Sequence, residues 1–218
     1  ARRSGGNIAR VSENLKQALI SRGVEIPHPG LVVIDDDVDP DRVEAGAVLH
    51  PGVRVSGAST VIRAGACIGR HGAVVLENCA IGRDAQVGSG SFNRCVLLDG
   101  ASFGPSGHGR AGTIFEEGAS AAHAVGTKQT ILFPWATLGS NINACDLFLA
   151  GGTDPRDHSE IGSGFVHFNF TPFGPRGDKA APSRFGCVPR GVWLTESRIF
   201  LGGSGGVVGP VAMGYGTV

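Results

Sequence analysis

Apolar residues recur at every sixth position along much of the chain, and each is often followed by glycine. The period is carried by Val43, Leu49, Val55 and Val61, then by Ile62, Ile68 and Val74, and it resumes at Ile81 and Val87. It returns near the end of the sequence at Leu201, Val207 and Met213. A period of six fits neither an α-helix nor a single strand, which repeat at about 3.6 and 2 residues. The pattern therefore predicts an all-β fold in which hexapeptide coils stack turn upon turn as a single-stranded parallel β-helix.

One amphipathic segment, Ser12 to Ser21, precedes the repeats and predicts a helix. Ser12 is the expected N-cap, and Gly23 is expected to end the helix. The helix would cover the open strand edge at the start of the coil with an apolar stripe made of Val11, Leu15, Ala18 and Leu19. The predicted organisation is an N-terminal segment with a capping helix over residues 1–30, followed by one β-helix domain over residues 31–218.

The hexapeptide period is lost in two stretches, near residues 105–160 and near residues 171–183. Interruptions in the period of a solenoid usually map to loops, and such loops often carry the binding site. We therefore expect both stretches to protrude from the coil and to hold the functional residues.

Composition excludes several classes of protein. Lys plus Arg and Asp plus Glu are equal at 19 each, so no overall field attracts nucleic acid or a membrane surface. No apolar run approaches the length of a membrane span, and the start of the chain lacks the apolar core of a signal peptide. The five cysteines are odd in number and form no CxxC pair, which argues for a reducing compartment and for cysteines that pack as small residues. We expect a soluble, cytoplasmic protein that binds neither nucleic acid nor membrane.

Three sequence segments carry a resemblance to a known family, and the hexapeptides continue it over most of residues 10–218. The segments are Gly23-Val-Glu-Ile, Ile34-Asp-Asp-Asp-Val and His50-Pro-Gly-Val. They are similar to the C-terminal half of the bifunctional N-acetylglucosamine-1-phosphate uridyltransferase/glucosamine-1-phosphate acetyltransferase family. The resemblance implies a left-handed β-helix, a homotrimer, and transfer of an acetyl group from acetyl-coenzyme A to an amino sugar phosphate or a nucleotide-linked sugar. The nucleotidyltransferase domain that precedes this helix in the family is not in this sequence.

The same resemblance implies a substrate site. Arg110-Ala-Gly-Thr113 is similar to the family's Arg-Pro-Gly-Thr, and Lys128 falls at the family's phosphate-side lysine. Phe168-Asn169-Phe170 and the later Lys179 are similar to the segment that lines the sugar pocket. The implied substrate-binding residues are Arg110, Lys128, Asn169 and Lys179. Gly203 and Ser204, in the glycine-rich stretch after Leu201, would contact acetyl-coenzyme A.

The sequence departs from the family at the catalytic base. An ungapped match from Lys128 places Ser140 where the family has its catalytic histidine, and Asn143 where it has a tyrosine. A protonated amine cannot attack a thioester, so the reaction needs a base. His158 is the candidate replacement, with the neighbouring Asp157 to orient its ring; His123 and His167 are weaker candidates.

Three functions remain open from the sequence: a transferase with a relocated base, a module that binds a sugar nucleotide without catalysis, and a structural spacer. Ser140 and the end of the sequence at Val218, before the coils that complete the acyl-donor site in the relatives, favour the second. The recurrence of basic and amide residues at family positions argues against the third. No metal site is predicted, since Asp154, Asp157 and Asp178 would bind Mg²⁺ only weakly.

Overall fold

The computed structural model of the 218-residue chain describes residues 5–145, 147–164, 166–168, 192–194, 200–201, 206–208 and 211–213. Side chains are described for residues 13–145 and 147–164. Within these residues one α-helix precedes 25 short strands, which form three parallel sheets. The fold is a three-sided parallel β-helix, in agreement with the left-handed β-helix expected from the hexapeptides.

The helix α1 spans Gly5–Ser21, seven residues more than the predicted segment at its N-terminal end. Ser12 therefore lies inside the helix and is not its N-cap, because the helical spacing of apolar residues extends back to Ile8. Gly23 takes a φ of 92° just after the helix, as expected of a C-terminal glycine. Leu19 is fully buried, and the helix packs on the first strand of the coil, so it is the expected cap. No helix in the described part of the chain is long and apolar enough to cross a membrane.

Each sheet forms one face of the prism, and the chain visits the faces in a repeating order. Face 1 has nine strands: β1 (Val33–Ile34), β3 (Val53–Ser56), β6 (Val74–Glu77), β9 (Gly90–Asn93), β12 (Gly107–Gly109), β15 (Gly126–Lys128), β18 (Asn143–Cys145), β21 (Val166–Phe168) and β24 (Gly206–Val208). Face 2 has eight: β4 (Val61–Ile62), β7 (Ala80–Ile81), β10 (Cys95–Leu97), β13 (Thr113–Phe115), β16 (Ile131–Leu132), β19 (Leu147–Leu149), β22 (Val192–Leu194) and β25 (Val211–Met213). Face 3 has eight: β2 (Val48–Leu49), β5 (Cys67–Ile68), β8 (Gln86–Val87), β11 (Ser102–Phe103), β14 (Ser120–Ala121), β17 (Thr137–Leu138), β20 (Glu160–Ile161) and β23 (Phe200–Leu201). We call the turns from face 1 to 2, from 2 to 3 and from 3 to 1 the first, second and third corners. Two short 3₁₀ turns, Pro29–Leu31 and Pro40–Arg42, lie before and after β1.

The core is the inside of the prism. Leu49, Ile68 and Val87 are stacked in register on face 3 and are fully buried, as the six-residue period requires. Cys79 and Cys95 are also buried and unpaired, which agrees with their expected role as small packing residues. Adding one coil thus extends the apolar column by one residue on each face.

The coil continues through most of residues 105–160, the stretch that the sequence predicted to protrude. Gly90 pairs with Gly107 on face 1, and Gly126 pairs with Asn143, so the coils keep a length of about 17 residues. The aliphatic signal is lost because the interior is filled by other means. The ring of Phe92 occupies the space that a side chain on Gly109 would take, since an added Cβ there would lie 2.7 Å from it.

Buried aromatic rings and hydroxyls replace part of the aliphatic stack in this region. Phe103 lies between two other rings inside the prism, with centroid distances of 4.9 Å to Phe92 and 5.1 Å to Phe115. Thr113 and Thr127 are fully buried and hydrogen-bond to each other at 3.0 Å. These inward residues satisfy the geometry of a hexapeptide coil without its usual sequence pattern.

The chain leaves the coil at residues 150–159, at the second corner. Ten residues separate β19 from β20 there, whereas residues 133–136 suffice between the equivalent strands one coil earlier. Part of the predicted protrusion is therefore real and much shorter than expected. The second predicted loop, residues 171–183, lies outside the described residues.

Candidate functional site

The outer surface of face 1 carries polar side chains on three consecutive strands, β12, β15 and β18. Alternation along each strand sends Thr127 and Ala144 inward and leaves Lys128 and Asn143 exposed. We call the outer side of these three strands, with the first and third corners that flank it, the face 1 site.

Arg110 and Lys128 lie side by side at the first corner. Gly109 pairs with Thr127, so the two cationic residues follow at equivalent positions of consecutive coils. The Arg110 side chain extends along the prism axis: its Nε donates to the Thr127 carbonyl oxygen at 3.4 Å, and its Nη2 donates to Cys145 Sγ at 3.2 Å. Cys145 is the partner of Lys128 on the next strand, so the guanidinium spans the coil that carries the lysine.

Neither cation has a carboxylate partner among the side chains that the structure describes. Several arginines on earlier coils are neutralised, for example Arg54 by Asp35 at 2.8 Å and Arg63 by Glu44 at 2.6 Å. Two neighbouring cations without counter-charges favour an anion, and a phosphate can accept several hydrogen bonds from them.

His123 and Ser140 lie at the third corner, on the other edge of the face 1 site. Ser140 Oγ is 2.8 Å from His123 Nδ1, and the histidine is exposed. Ser140 is thus in contact with an imidazole from the coil before it.

The floor between the two edges is shallow because β15 begins with Gly126. The next strand places Asn143 above this glycine, and its Oδ1 would lie 3.4 Å from a Cβ added there. The exposed carboxamide therefore offers a donor and an acceptor in the middle of the face, between the imidazole and the cations.

The predicted base, His158, lies elsewhere on the prism. It belongs to the loop 150–159 at the second corner, so it does not meet Arg110 or Lys128 within one chain. Its Nδ1 is buried and has no hydrogen-bond partner, so the Asp157 carboxylate does not bind this nitrogen. A three-sided coil keeps each corner apart from the face opposite to it, and this separates the two halves of the predicted site.

The remaining predicted residues are not among those that the structure describes. Asn169, Lys179, Gly203 and Ser204 lie outside the described residues, and the side chain of His167 does as well. No group of three His, Cys, Asp or Glu residues in the described part of the chain is arranged to hold a metal ion.

The second corner has features that the sequence analysis did not assign. Trp135 has a φ of 68°, and its ring packs over Gly118 of the previous coil, where an added Cβ would lie 2.5 Å from ring carbons. Burial raises the pKa of Glu116, and the neighbouring Glu117 carboxylate raises it further. An alignment of consecutive coils shows that a tryptophan is unusual at this position, because the two coils before it have Gly100 and then Gly118 there.

Two cavities lie on earlier coils. One, of about 230 Å³, opens beside Cys67 and His71, and the Cys67 sulfur is 3.4 Å from His50 Nε2. The other, of about 470 Å³, lies around Asp35 and Glu77. Neither is lined by a residue of the predicted site.

The chain was compared with known proteins. No protein-family model matches it, and no curated protein matches it.

Proposed function

We propose that the protein is an acyl-coenzyme A-dependent N-acyltransferase, with acetyl-coenzyme A as donor and an amino sugar that carries a phosphate or nucleotide as acceptor. The observation that carries the proposal is the pair formed by Arg110 and Lys128. The two cations are stacked in register, lack carboxylate partners among the described side chains, and lie on the outer face of a hexapeptide coil.

The chemistry of face 1 supports an acceptor of this kind. The guanidinium and ammonium groups suit a phosphate, and the Asn143 carboxamide suits sugar hydroxyl groups. The sequence match named Arg110, Lys128, Ser140 and Asn143 as site positions of the family, and these four residues belong to the face 1 site. Their shared location is what an acceptor site would need.

The proposed assembly is a homotrimer, as the resemblance implies, in the cytoplasm. A flat face can contribute only one wall of a site, so a second chain packed against it would exclude water from the acceptor and the thioester. The donor would lie along the later coils, where Gly203 and Ser204 are the proposed contacts.

A binding module without catalysis is the second candidate. It is favoured by Ser140 at the family's histidine position and by the separation of His158 from the face 1 site. The two candidates share the phosphate contact and differ only in turnover.

The test combines calorimetric titration with a thiol-release assay, using acetyl-coenzyme A and glucosamine-1-phosphate. Thiol release that needs both compounds and is lost in Arg110→Ala would support the transferase. Arg63→Ala is the control, because it removes an arginine already neutralised by Glu44. Binding of the sugar phosphate without thiol release would favour the binding module, and absence of binding to either compound would overturn both candidates.

A further inference from the structure

The His123–Ser140 pair is held by a rigid frame that spans three coils. The Asn141 N–H donates to the His123 carbonyl oxygen at 3.0 Å, and the Gly164 N–H donates to the Ser140 carbonyl oxygen at 2.8 Å. The Ser140 N–H donates to Ser163 Oγ at 3.0 Å. The backbone of both residues is therefore fixed by neighbouring coils, and the 2.8 Å contact between their side chains is a property of the fold.

The pair leaves one imidazole nitrogen available. Contact with Ser140 Oγ occupies Nδ1, while the ring as a whole is exposed. When Nδ1–H donates to the hydroxyl oxygen, the tautomer is set so that Nε2 carries a free lone pair towards solvent. A hydrogen bond to one ring nitrogen fixes the tautomer and the direction of the second ring nitrogen, and histidines that transfer protons are commonly oriented in this way.

In glucosamine-1-phosphate the amine and the phosphate are on adjacent carbon atoms, so the base and the lysine must reach the same sugar ring. His123 and Lys128 are five residues apart along β15 and its preceding turn, which limits the separation of their Cα atoms to about 17 Å at most. Both side chains are long enough to reach inward over Gly126, which leaves a gap that one sugar phosphate can bridge. His158, at the second corner, has no such relation to the two cations.

We infer that His123 is the general base of this chain and that Ser140 is the residue that positions its ring. The inference rests on the proposed function. The ammonium group of the amino sugar loses one proton to solvent on binding. As the neutral amine nitrogen attacks the thioester carbonyl carbon, His123 Nε2 takes a second proton from that nitrogen. A C–N bond forms, the C–S bond breaks, and the proton held by the imidazole passes to the departing thiolate, which leaves as a thiol.

A nucleophilic role for Ser140 is less consistent with the same contacts. An acylated serine passes through an oxyanion that needs free N–H donors nearby. The N–H groups of Gly139, Ser140 and Asn141 are already used by Ile161, Ser163 and His123 respectively. The geometry thus assigns the proton transfer to the histidine and only orientation to the serine.

The experiment measures thiol release with acetyl-coenzyme A and glucosamine-1-phosphate for matched variants of the full chain. His123→Ala should lower kcat by about 100-fold or more, and added imidazole should restore part of it. His71→Ala is the control, because His71 is an exposed histidine at the same corner three coils earlier. It should leave turnover unchanged.

Ser140 is tested by a pair of variants that separate positioning from packing. Ser140→Ala should lower kcat by about 3–10-fold with KM unchanged and displace the acidic limb of the pH–rate profile, since one hydrogen bond is lost. Ser140→Thr keeps the hydroxyl and should restore the profile. A normal rate in His123→Ala, or loss of rate in His158→Ala with no effect of His123→Ala, would overturn the inference.

A readout that does not need turnover separates this inference from the proposed function. Imidazole NMR signals of His123 should move when glucosamine-1-phosphate binds, and the movement should be lost in Lys128→Ala. If the protein releases no thiol but these signals move, the transferase proposal fails while His123 still lies beside the bound ligand. If the ligand binds and the signals do not move, the inference fails whatever the activity.

Discussion

The early coils, residues 24–103, and the late coils, residues 104–164, follow the same backbone path but differ in how many of their polar groups have a partner. The six ion pairs that join described side chains all lie between residues 13 and 83. In the late coils Arg110 and Lys128 have no carboxylate partner in the described part of the chain, and His158 Nδ1 is buried without a partner. The early coils thus pair several of their charges within the chain, whereas the late coils form no ion pair between described side chains.

The corners show the same contrast. At the second corner Asp84, Gly100 and Gly118 take left-handed φ values of 56°, 69° and 66°, which glycine and aspartate adopt at little cost. The equivalent residue of the next coil is Trp135, at 68°, and a large side chain is uncommon in this region of φ. Strain and unsatisfied polar groups cluster at functional sites because selection for a site can outweigh local stability. The difference between the two regions therefore supports the proposal of a site in the late coils.

The aromatic stack joins the two regions, and cutting it should have the largest effect on stability. Phe103→Ala should destabilise the protein by about 3–5 kcal/mol, because it opens a cavity between Phe92 and Phe115. Neighbouring coils stabilise each other through contacts such as this stack. In Phe103→Ala, where the contact is lost, we therefore also expect the early and late coils to melt separately. Calorimetry measures both effects. Phe133→Ala, which removes a half-buried ring, is the control; an equal loss there would contradict the role of the stack.

The unpaired cations should dominate ligand affinity. Arg110→Ala and Lys128→Ala should each weaken binding of glucosamine-1-phosphate by about 10–100-fold, because each removes a charge-assisted hydrogen bond. Titration calorimetry gives the dissociation constants. Arg54→Ala removes an arginine that Asp35 already neutralises, and it should change the affinity little. Equal weakening by all three variants would show that only overall charge matters.

The strained corner can be measured with two glycines of nearly equal φ. Gly118→Ala should destabilise the protein by about 2–3 kcal/mol, since its Cβ must displace the Trp135 ring as well as take a left-handed conformation. Gly100→Ala should cost only about 1 kcal/mol, because an added Cβ has no atom closer than 3.9 Å. Denaturant unfolding gives the two values. If they are equal, the ring does not press on this corner.

Two glutamates should respond to pH in opposite ways. A hydrogen bond from the Ala64 N–H, and another from Arg63, lowers the pKa of Glu44 below 4.5, whereas burial and then Glu117 raise that of Glu116 above 4.5. Glu44 therefore stabilises the protein above pH 4.5, and this contribution is lost as pH falls through its folded pKa. Glu116 favours the folded state below pH 4.5, and that contribution is lost as pH rises through its own folded pKa.

Glutamine variants isolate these two terms. At pH 7, Glu44→Gln should lower Tm and Glu116→Gln should raise it, each by about 1–2 °C because both carboxyl groups are only partly buried and are screened by solvent. Both differences should vanish in acid, once each carboxyl group is protonated. Thermal melts between pH 3 and 7 measure them, and shifts of the same sign would remove this contrast between early and late coils.

Much of the fold followed from the sequence, because a six-residue period leaves few alternatives to a stacked coil. The prediction failed for residues 105–149 because the inward positions on face 1 are glycine, threonine and alanine there, and part of the missing volume comes from Phe92, Phe103 and Phe115. The hexapeptide pattern describes one coil at a time, whereas side chains of neighbouring coils together fill the interior of the prism.

The candidate site was only partly predictable for a related reason. The cationic pair Arg110 and Lys128 was named from the resemblance, and the register places the two residues together. His158 was preferred to His123 because the preceding Asp157 was expected to orient its ring. The order of residues along the chain did not show that His158 lies in a ten-residue loop at the second corner, away from face 1.

The amino-acid pattern alone determined that this chain is a coil with a cap, because periodic burial of aliphatic residues is a local property that can be read in order. The tertiary structure decided which polar residues share a surface. His123 and Ser140 are 17 residues apart, and only a coil of that length brings an imidazole to the serine on the next turn. Chemistry on a solenoid depends on register, and register is set by the number of residues in every turn between two positions.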